Sequence, residues 1–197
     1  MAYGKIDHIA ISTKAMNSPK VINALEVKAK RVFDKAKAQV LNEFLNDIVT
    51  KEIRGGPEAG NMSGMLGGYG NLFSYIGFYS NEDPIQPIEH YIRTFGFSAR
   101  KGKVRVAKGT SSVTFLIKFP TIETIEALSR MPWEEGSSWV RGIEMGISGY
   151  SNYMYETYIQ GRSGKGKQSS TPQNVAAGFS PRRYLPSILD KVVKKFK

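Results

Sequence analysis

One stretch decides the fold of this 197-residue chain: PKVINALEVKAKRVFDKAKAQVLNEFLNDIVT, residues 19–50. Its apolar side chains recur at a period of 3.6 residues, which is typical of a helix that buries one face. The opposite face is rich in lysine and arginine. Ser18 is a candidate N-cap, and Pro19 suits the first helical position. We therefore predict an amphipathic helix about 48 Å long that lies across a sheet or a partner.

Shorter elements follow this helix, separated by turns and by a glycine-rich loop at residues 55–70. Apolar, aromatic or alternating runs predict strands at 72–78, 103–108, 112–119 and 150–159, the middle two forming a hairpin. Helical periodicity predicts short helices at 87–95, 122–131, 138–145 and 186–196. The order indicates an α+β fold, in which the long N-terminal amphipathic helix packs on a small, mainly antiparallel sheet. We place the core domain at 1–160 and a basic arm with a closing helix at 161–197.

The chain is strongly basic, with a formal net charge of +11. Residues 1–55 hold 10 basic and 6 acidic side chains, residues 56–161 hold 9 and 10, and residues 162–197 hold 9 and 1. Most of the excess therefore falls in the C-terminal arm. Such a segment typically docks on nucleic acid, on a membrane or on an acidic neighbouring subunit, or it is a solvated tail.

Catalytic chemistry finds little support in the sequence. Cysteine is absent, which excludes disulfides, thiolate metal sites and thiol catalysis. His8 and His90 are far apart, so we predict no metal site. Residues 161–168, GRSGKGKQ, match a phosphate-binding loop, except that Gln168 stands where a magnesium-binding Ser or Thr belongs and no helix follows. We predict no cofactor, no catalytic residue and no enzyme activity; a dense titratable cluster in one pocket would revive an enzymatic function.

Membrane and secretory signals are also missing from the sequence. No apolar run approaches the roughly 18 residues that a membrane span needs, and residues 1–13 do not resemble a signal peptide. We expect synthesis in the cytoplasm and no membrane partner.

Three stretches together carry a resemblance to a known group of proteins. They are the long helix, the block GGYGNLFSYIGF at 67–78, and the turn GRSG at 161–164 followed by FSPRRYL at 179–185. In this order they resemble virion structural proteins of tailed bacteriophages, specifically the tail-completion and neck proteins of the head–tail junction. The resemblance implies a long helix packed on a small sheet and a location in the virion.

The resemblance further implies a homo-oligomeric ring that seals the tail tube to the portal and contacts other neck, connector or tail-tube proteins. A ring interface is heterologous and needs complementary patches on opposite sides of one subunit. The arm could reach an acidic neighbour or contact packaged double-stranded DNA, and the glycine-rich loop would suit a segment that orders on assembly. We predict an assembly surface that comprises Tyr69, Asn71, Arg162, Lys165, Lys167, Arg182 and Arg183.

A nucleic-acid-binding protein is the alternative function. In that case the basic arm neutralises phosphates, and affinity falls steeply with salt. The tyrosines at 150, 153, 155 and 158, just before the arm, could stack on bases or could pack within a strand.

Overall fold

The structure is a computed structural model that describes residues 14–66, 70–107, 110–132, 135–146 and 181–193. Its helices are α1 (Pro19–Asn46), α2 (Ile48–Arg54), α3 (Leu72–Ile76), α4 (Gln86–Thr94), α5 (Ile122–Leu128), α6 (Trp139–Met145) and α7 (Leu185–Val193). Its strands are β1 (Ala99–Ala107) and β2 (Thr110–Ile117). The predicted α+β fold class is confirmed. Within these ranges, every helix is too short or too polar to cross a bilayer.

The chain divides into two compact units. The helix–hairpin unit comprises residues 1–38 and 96–119, and the main unit comprises residues 39–95 and 120–197. This division groups the closing helix α7 with the main unit. The boundary that we predicted at residue 160 lies outside the described residues.

The long helix is shorter than the sequence predicts because it breaks at Asp47. That residue has an extended backbone, with φ −61° and ψ 140°, and its side chain accepts a hydrogen bond from the Val49 amide. Asp47 thereby becomes the N-cap of a new helix, α2, which continues to Arg54. The apolar periodicity hid this break, since it continues through both helices.

The predicted hairpin is present and extends further towards its N-terminal end than expected. β1 and β2 pair antiparallel, with Ala99 opposite Ile117 and Ala107 opposite Thr110. The register shifts between Lys101 and Val104, where two residues of β1 oppose one of β2. Such a bulge increases the local twist of the ribbon.

Within the helix–hairpin unit, α1 packs on the base of the hairpin through aromatic side chains. The ring of Phe33 lies 5.5 Å from that of Phe97 and 5.9 Å from that of Phe119. The Lys101 ammonium donates to the Asn17 side-chain oxygen at 2.6 Å. These contacts fix the hairpin against one face of the helix.

The main unit holds most of the described core. Its centre is an aromatic cluster in which the Tyr184 ring lies 6.4 Å from Trp139 and 6.1 Å from Phe44. The buried hydroxyls of Tyr184 and Thr50 share a hydrogen bond, and burial raises the pKa of Tyr184. The phenol therefore stays neutral, as its apolar surroundings require. This cluster ties the C-terminal segment to α1, α2 and α6.

The strand predicted at 72–78 is wrong, because residues 72–76 form the short helix α3. Asn71 caps its start, and Gly77 ends it with a left-handed backbone at φ 87°. All five helical residues are buried, so no polar face produces the 3.6-residue period. A short, continuous apolar run does not distinguish a buried helix from a strand.

The four short helices predicted elsewhere are confirmed, with described boundaries that differ from the prediction by at most three residues. The predicted end of the last helix, at residue 196, lies outside the described residues. α5 begins after Thr121 and α6 after Ser138, and each of these side chains caps its helix. The tyrosine-rich strand predicted at 150–159 lies outside the described residues.

One buried carboxylate organises the glycine-rich loop. Glu52, on α2, is 0% exposed. Its Oε2 accepts the Ser63 amide at 2.6 Å and its Oε1 accepts the Leu72 amide at 2.8 Å. Glu52 therefore holds the loop and the start of α3 against α2 in the single chain. The expectation that the loop orders on assembly stays a prediction.

We expect Glu52→Gln to lower the free energy of unfolding by about 2 kcal/mol, because the new amide group opposes one buried N–H donor. Urea unfolding followed by circular dichroism measures this loss. Glu135→Gln, the same change at an exposed residue, serves as the control and should be nearly neutral. Equal stability of the two variants would contradict the role assigned to Glu52.

Candidate functional site

Asn71, one of the predicted interface residues, is 5% exposed and is used inside the fold. Its Nδ2 donates to the carbonyls of Pro57 and Ala59 at 3.0 and 2.9 Å. Its Oδ1 accepts the Ser74 amide at 2.9 Å. One side chain thus caps α3 and closes the loop, so the structure gives Asn71 a role in the fold.

Arg182 and Arg183 lie on the surface of the main unit at a rigidly held position. The Arg182 amide donates to the Ile143 carbonyl at 3.0 Å, and the Tyr184 amide donates to Glu144 Oε1 at 2.9 Å. Both arginines are exposed, whereas Tyr184 is buried. The buried tyrosine therefore anchors the segment, and the two charges project from it into solvent.

Glu144 is a half-buried acid beside this arginine pair. Burial raises its pKa, the Tyr184 amide lowers it, nearby Glu126 raises it and Arg183 lowers it, in decreasing order of effect. The net shift is upward. The charged form of Glu144 is therefore less favourable in the fold than in water.

A cleft of about 600 Å³ lies along α5 and α6. Its charged lining residues are two glutamates and two arginines, namely Glu126, Glu135, Arg130 and Arg141. The described lining contains no histidine. Within the described ranges, no three His, Asp or Glu side chains form a group that could hold a metal ion.

The net charge is divided very unequally between the two units. The helix–hairpin unit has 14 basic and 3 acidic residues, which gives a formal charge of +11. The main unit has 14 of each and is formally neutral. The basic arm, which dominates the count along the sequence, belongs to this formally neutral unit. The excess of the folded chain therefore lies on the helix and hairpin.

The structure describes three of the seven predicted interface residues: Asn71, Arg182 and Arg183. Arg182 and Arg183 lie side by side on the surface, whereas Asn71 is buried within the fold. The others, Tyr69, Arg162, Lys165 and Lys167, lie outside the described residues.

Sequence reasoning did not predict that basic residues are concentrated in the helix–hairpin unit. The hairpin segment 96–119 has six basic and no acidic residues, but segment counting averaged it with acidic stretches on both sides. Counting charge by predicted element, rather than over three long segments of the chain, would have revealed it.

The chain matches no protein-family model, no curated protein and no solved structure. The physical features of the described residues therefore carry the functional argument.

We expect Asn71→Asp to lower the free energy of unfolding by about 2 kcal/mol or more. The aspartate keeps the cap oxygen but places a second oxygen against two carbonyls, where the native amide donates. Thermal and urea unfolding measure the loss. Asn23→Asp, at an exposed position on α1, is the matched control. A neutral effect at Asn71 would contradict its role in the fold.

Glu144 should make stability depend on pH. A raised carboxyl pKa means that the folded chain binds more protons than the unfolded chain, so the contribution is complete below the ordinary value of 4.5 and is lost as pH rises through the folded pKa. We expect Glu144→Gln to flatten the fall in stability above pH 4.5. Urea unfolding across a pH series tests this, with Glu135→Gln as the control. An unchanged pH profile would count against the shift.

Proposed function

We propose that this chain is a virion structural protein of a tailed phage, which forms a ring at the head–tail junction in a tail-completion or neck role and performs no catalysis. The resemblance of the three sequence stretches names the class. The observation that carries the proposal is the sparse described core of the helix–hairpin unit together with its unpaired strand edges.

Among the residues whose burial the structure describes, that unit has few buried apolar side chains of its own. Of the 25 apolar side chains that the structure describes as buried, only Phe33 and Ala36 belong to it. An isolated two-stranded hairpin is at best marginally stable in water. A helix with a hairpin of this kind is suited to completing its packing against another surface, as a subunit does in a ring.

The hairpin also has strand edges that can pair. Among the described residues, β1 and β2 pair only with each other, so the outer edge of each strand has backbone groups available to a further strand. Long unpaired edges are templates for pairing with another chain. An edge on one side of each subunit is the type of patch that a head-to-tail interface uses.

The main unit would supply a rigid second surface. Its C-terminal segment is held by the buried Tyr184 ring, by the Arg182 amide that donates to the Ile143 carbonyl, and by the Tyr184 amide that donates to the Glu144 side chain. Arg182 and Arg183 are therefore presented without a large entropic cost of ordering the backbone on binding. We assign this arginine pair to a contact with an acidic patch of a neighbouring subunit or ring.

The buried polar residues support a structural rather than an enzymatic protein. Glu52 and Asn71 are buried acidic and amide side chains, the types that often take part in catalysis. Here their hydrogen bonds are made to backbone groups of the loop and of the start of α3. Their contacts account for their burial without a substrate.

Native mass spectrometry and electron microscopy of the purified full-length chain test the ring. We expect a discrete closed oligomer that persists at high salt, since pairing of strand edges and apolar packing do not depend on screening. A monomer under every concentration and salt condition would contradict self-assembly.

Single-cysteine variants then locate the interface, because the native chain has no cysteine. A polarity-sensitive dye on Thr114→Cys, an exposed hairpin position, should shift its emission when the oligomer forms. Ala127→Cys, exposed on α5, is the control position outside the hairpin. A shift at Ala127 alone would place the interface away from the hairpin.

A further inference from the structure

The solvent face of α1 carries a compact basic stripe. Lys20, Lys28, Arg31 and Lys35 are all exposed. At 3.6 residues per turn, these four positions fall within an arc of about 80° around the helix axis. At 1.5 Å per residue, Lys20 and Lys35 are about 22 Å apart along that axis. We define these four residues as the α1 stripe.

The α1 stripe points away from the packed side of the helix. Phe33, which contacts the hairpin, lies about 180° from the middle of the stripe on the same helical wheel. Ala24, between Lys20 and Lys28 on this face, and Ala38, one turn beyond Lys35, are exposed, small and neutral. The stripe is therefore open to a ligand that is long, straight and negatively charged.

Internal ion pairs leave the stripe largely uncompensated. The helix–hairpin unit has only three acidic residues in its sequence. One of them, Asp34, pairs with Lys30 at 2.6 Å, and Lys30 is outside the stripe. In the described part of the chain, no ion pair joins a stripe residue to a carboxylate.

We propose that the α1 stripe binds the phosphate backbone of double-stranded DNA. Duplex DNA presents about one negative charge per 1.7 Å of its axis, so it offers phosphates along the whole length of the stripe. The site is electrostatic and independent of base sequence, because lysine and arginine contacts to phosphate carry no sequence information.

Two observations favour a duplex over single-stranded nucleic acid and over an acidic protein. Binding of single strands relies on exposed aromatic rings, whereas the described phenylalanines of this unit, namely Phe33, Phe97, Phe115 and Phe119, are buried or half-buried. An acidic protein surface seldom presents a regular, straight row of charges, whereas the stripe is a straight row along a helix.

This inference differs from the alternative in which the C-terminal arm binds nucleic acid. The arm belongs to a unit with no net charge, while the stripe belongs to the unit that holds the entire excess of +11. The binding does not require the ring, so each proposal can fail without the other.

Fluorescence anisotropy with a labelled duplex, measured over a series of salt concentrations, tests the stripe. Four phosphate contacts predict a slope of log K against log salt of about −3.6. We expect the variant Lys20→Gln/Lys28→Gln/Arg31→Gln/Lys35→Gln to lose about 100-fold in affinity at low salt and to reduce the slope by about 3 to 4. Glutamine keeps a good helix propensity, and circular dichroism confirms folding.

The matched control removes four basic residues from the arm: Arg162→Gln/Lys165→Gln/Lys167→Gln/Arg182→Gln. We expect it to change the slope by less than about 1, since non-contacting charges release few counterions. If the arm variant loses DNA binding and the stripe variant retains it, the proposal is overturned. Should the stripe variant unfold, the pair Lys28→Gln/Arg31→Gln is expected to reduce the slope by about 2.

A competition assay separates DNA from an acidic protein. Poly-glutamate should displace the duplex only weakly. A chain that binds poly-glutamate more tightly than duplex DNA would overturn the proposal in favour of an acidic protein partner. The mass of the protein, measured in the same samples, separates this question from assembly. DNA binding by a monomer would support the α1 stripe and contradict the proposed ring.

Discussion

The main unit depends on the buried carboxylate of Glu52. A carboxylate without exposure to solvent must have its oxygens satisfied, and here the amides of Ser63 and Leu72 satisfy them. This requirement links α2 to a loop that is otherwise rich in glycine, and it fixes where α3 begins. Asn71 closes the same loop from the other side through the carbonyls of Pro57 and Ala59. Glu52 and Asn71 thereby hold the glycine-rich loop, whose glycines allow many backbone conformations, in one conformation.

The C-terminal segment is held by a second constraint of the same kind. Tyr184 is buried among aromatic rings, and its hydroxyl is satisfied by Thr50. A residue near the end of the chain is thereby packed against the start of α2, which closes the unit. Arg182 and Arg183, immediately before it, are exposed as a consequence. As proposed, assembly would use the hairpin edges and the arginine pair, whereas DNA contact would use the solvent face of α1.

Much of the secondary structure could be predicted from residue pattern. The amphipathic period located α1, and shorter helical runs located α5 and α6. Two errors have a common cause. The break at Asp47 and the helix at 72–76 both depend on a side chain that bonds to nearby amides, and hydrophobic periodicity does not register such bonds. Asn71 and Gly77 were the available signals for α3.

The sequence by itself determined the α+β class, the long basic helix, the hairpin and the total charge, because these follow from local periodicity and composition. Only the tertiary structure decided where that charge resides. Folding brings the hairpin together with the first half of α1, although 57 residues separate Ala38 from Gly96. The burial of Glu52, Asn71 and Tyr184 was likewise decided by contacts between distant segments, which no local pattern encodes.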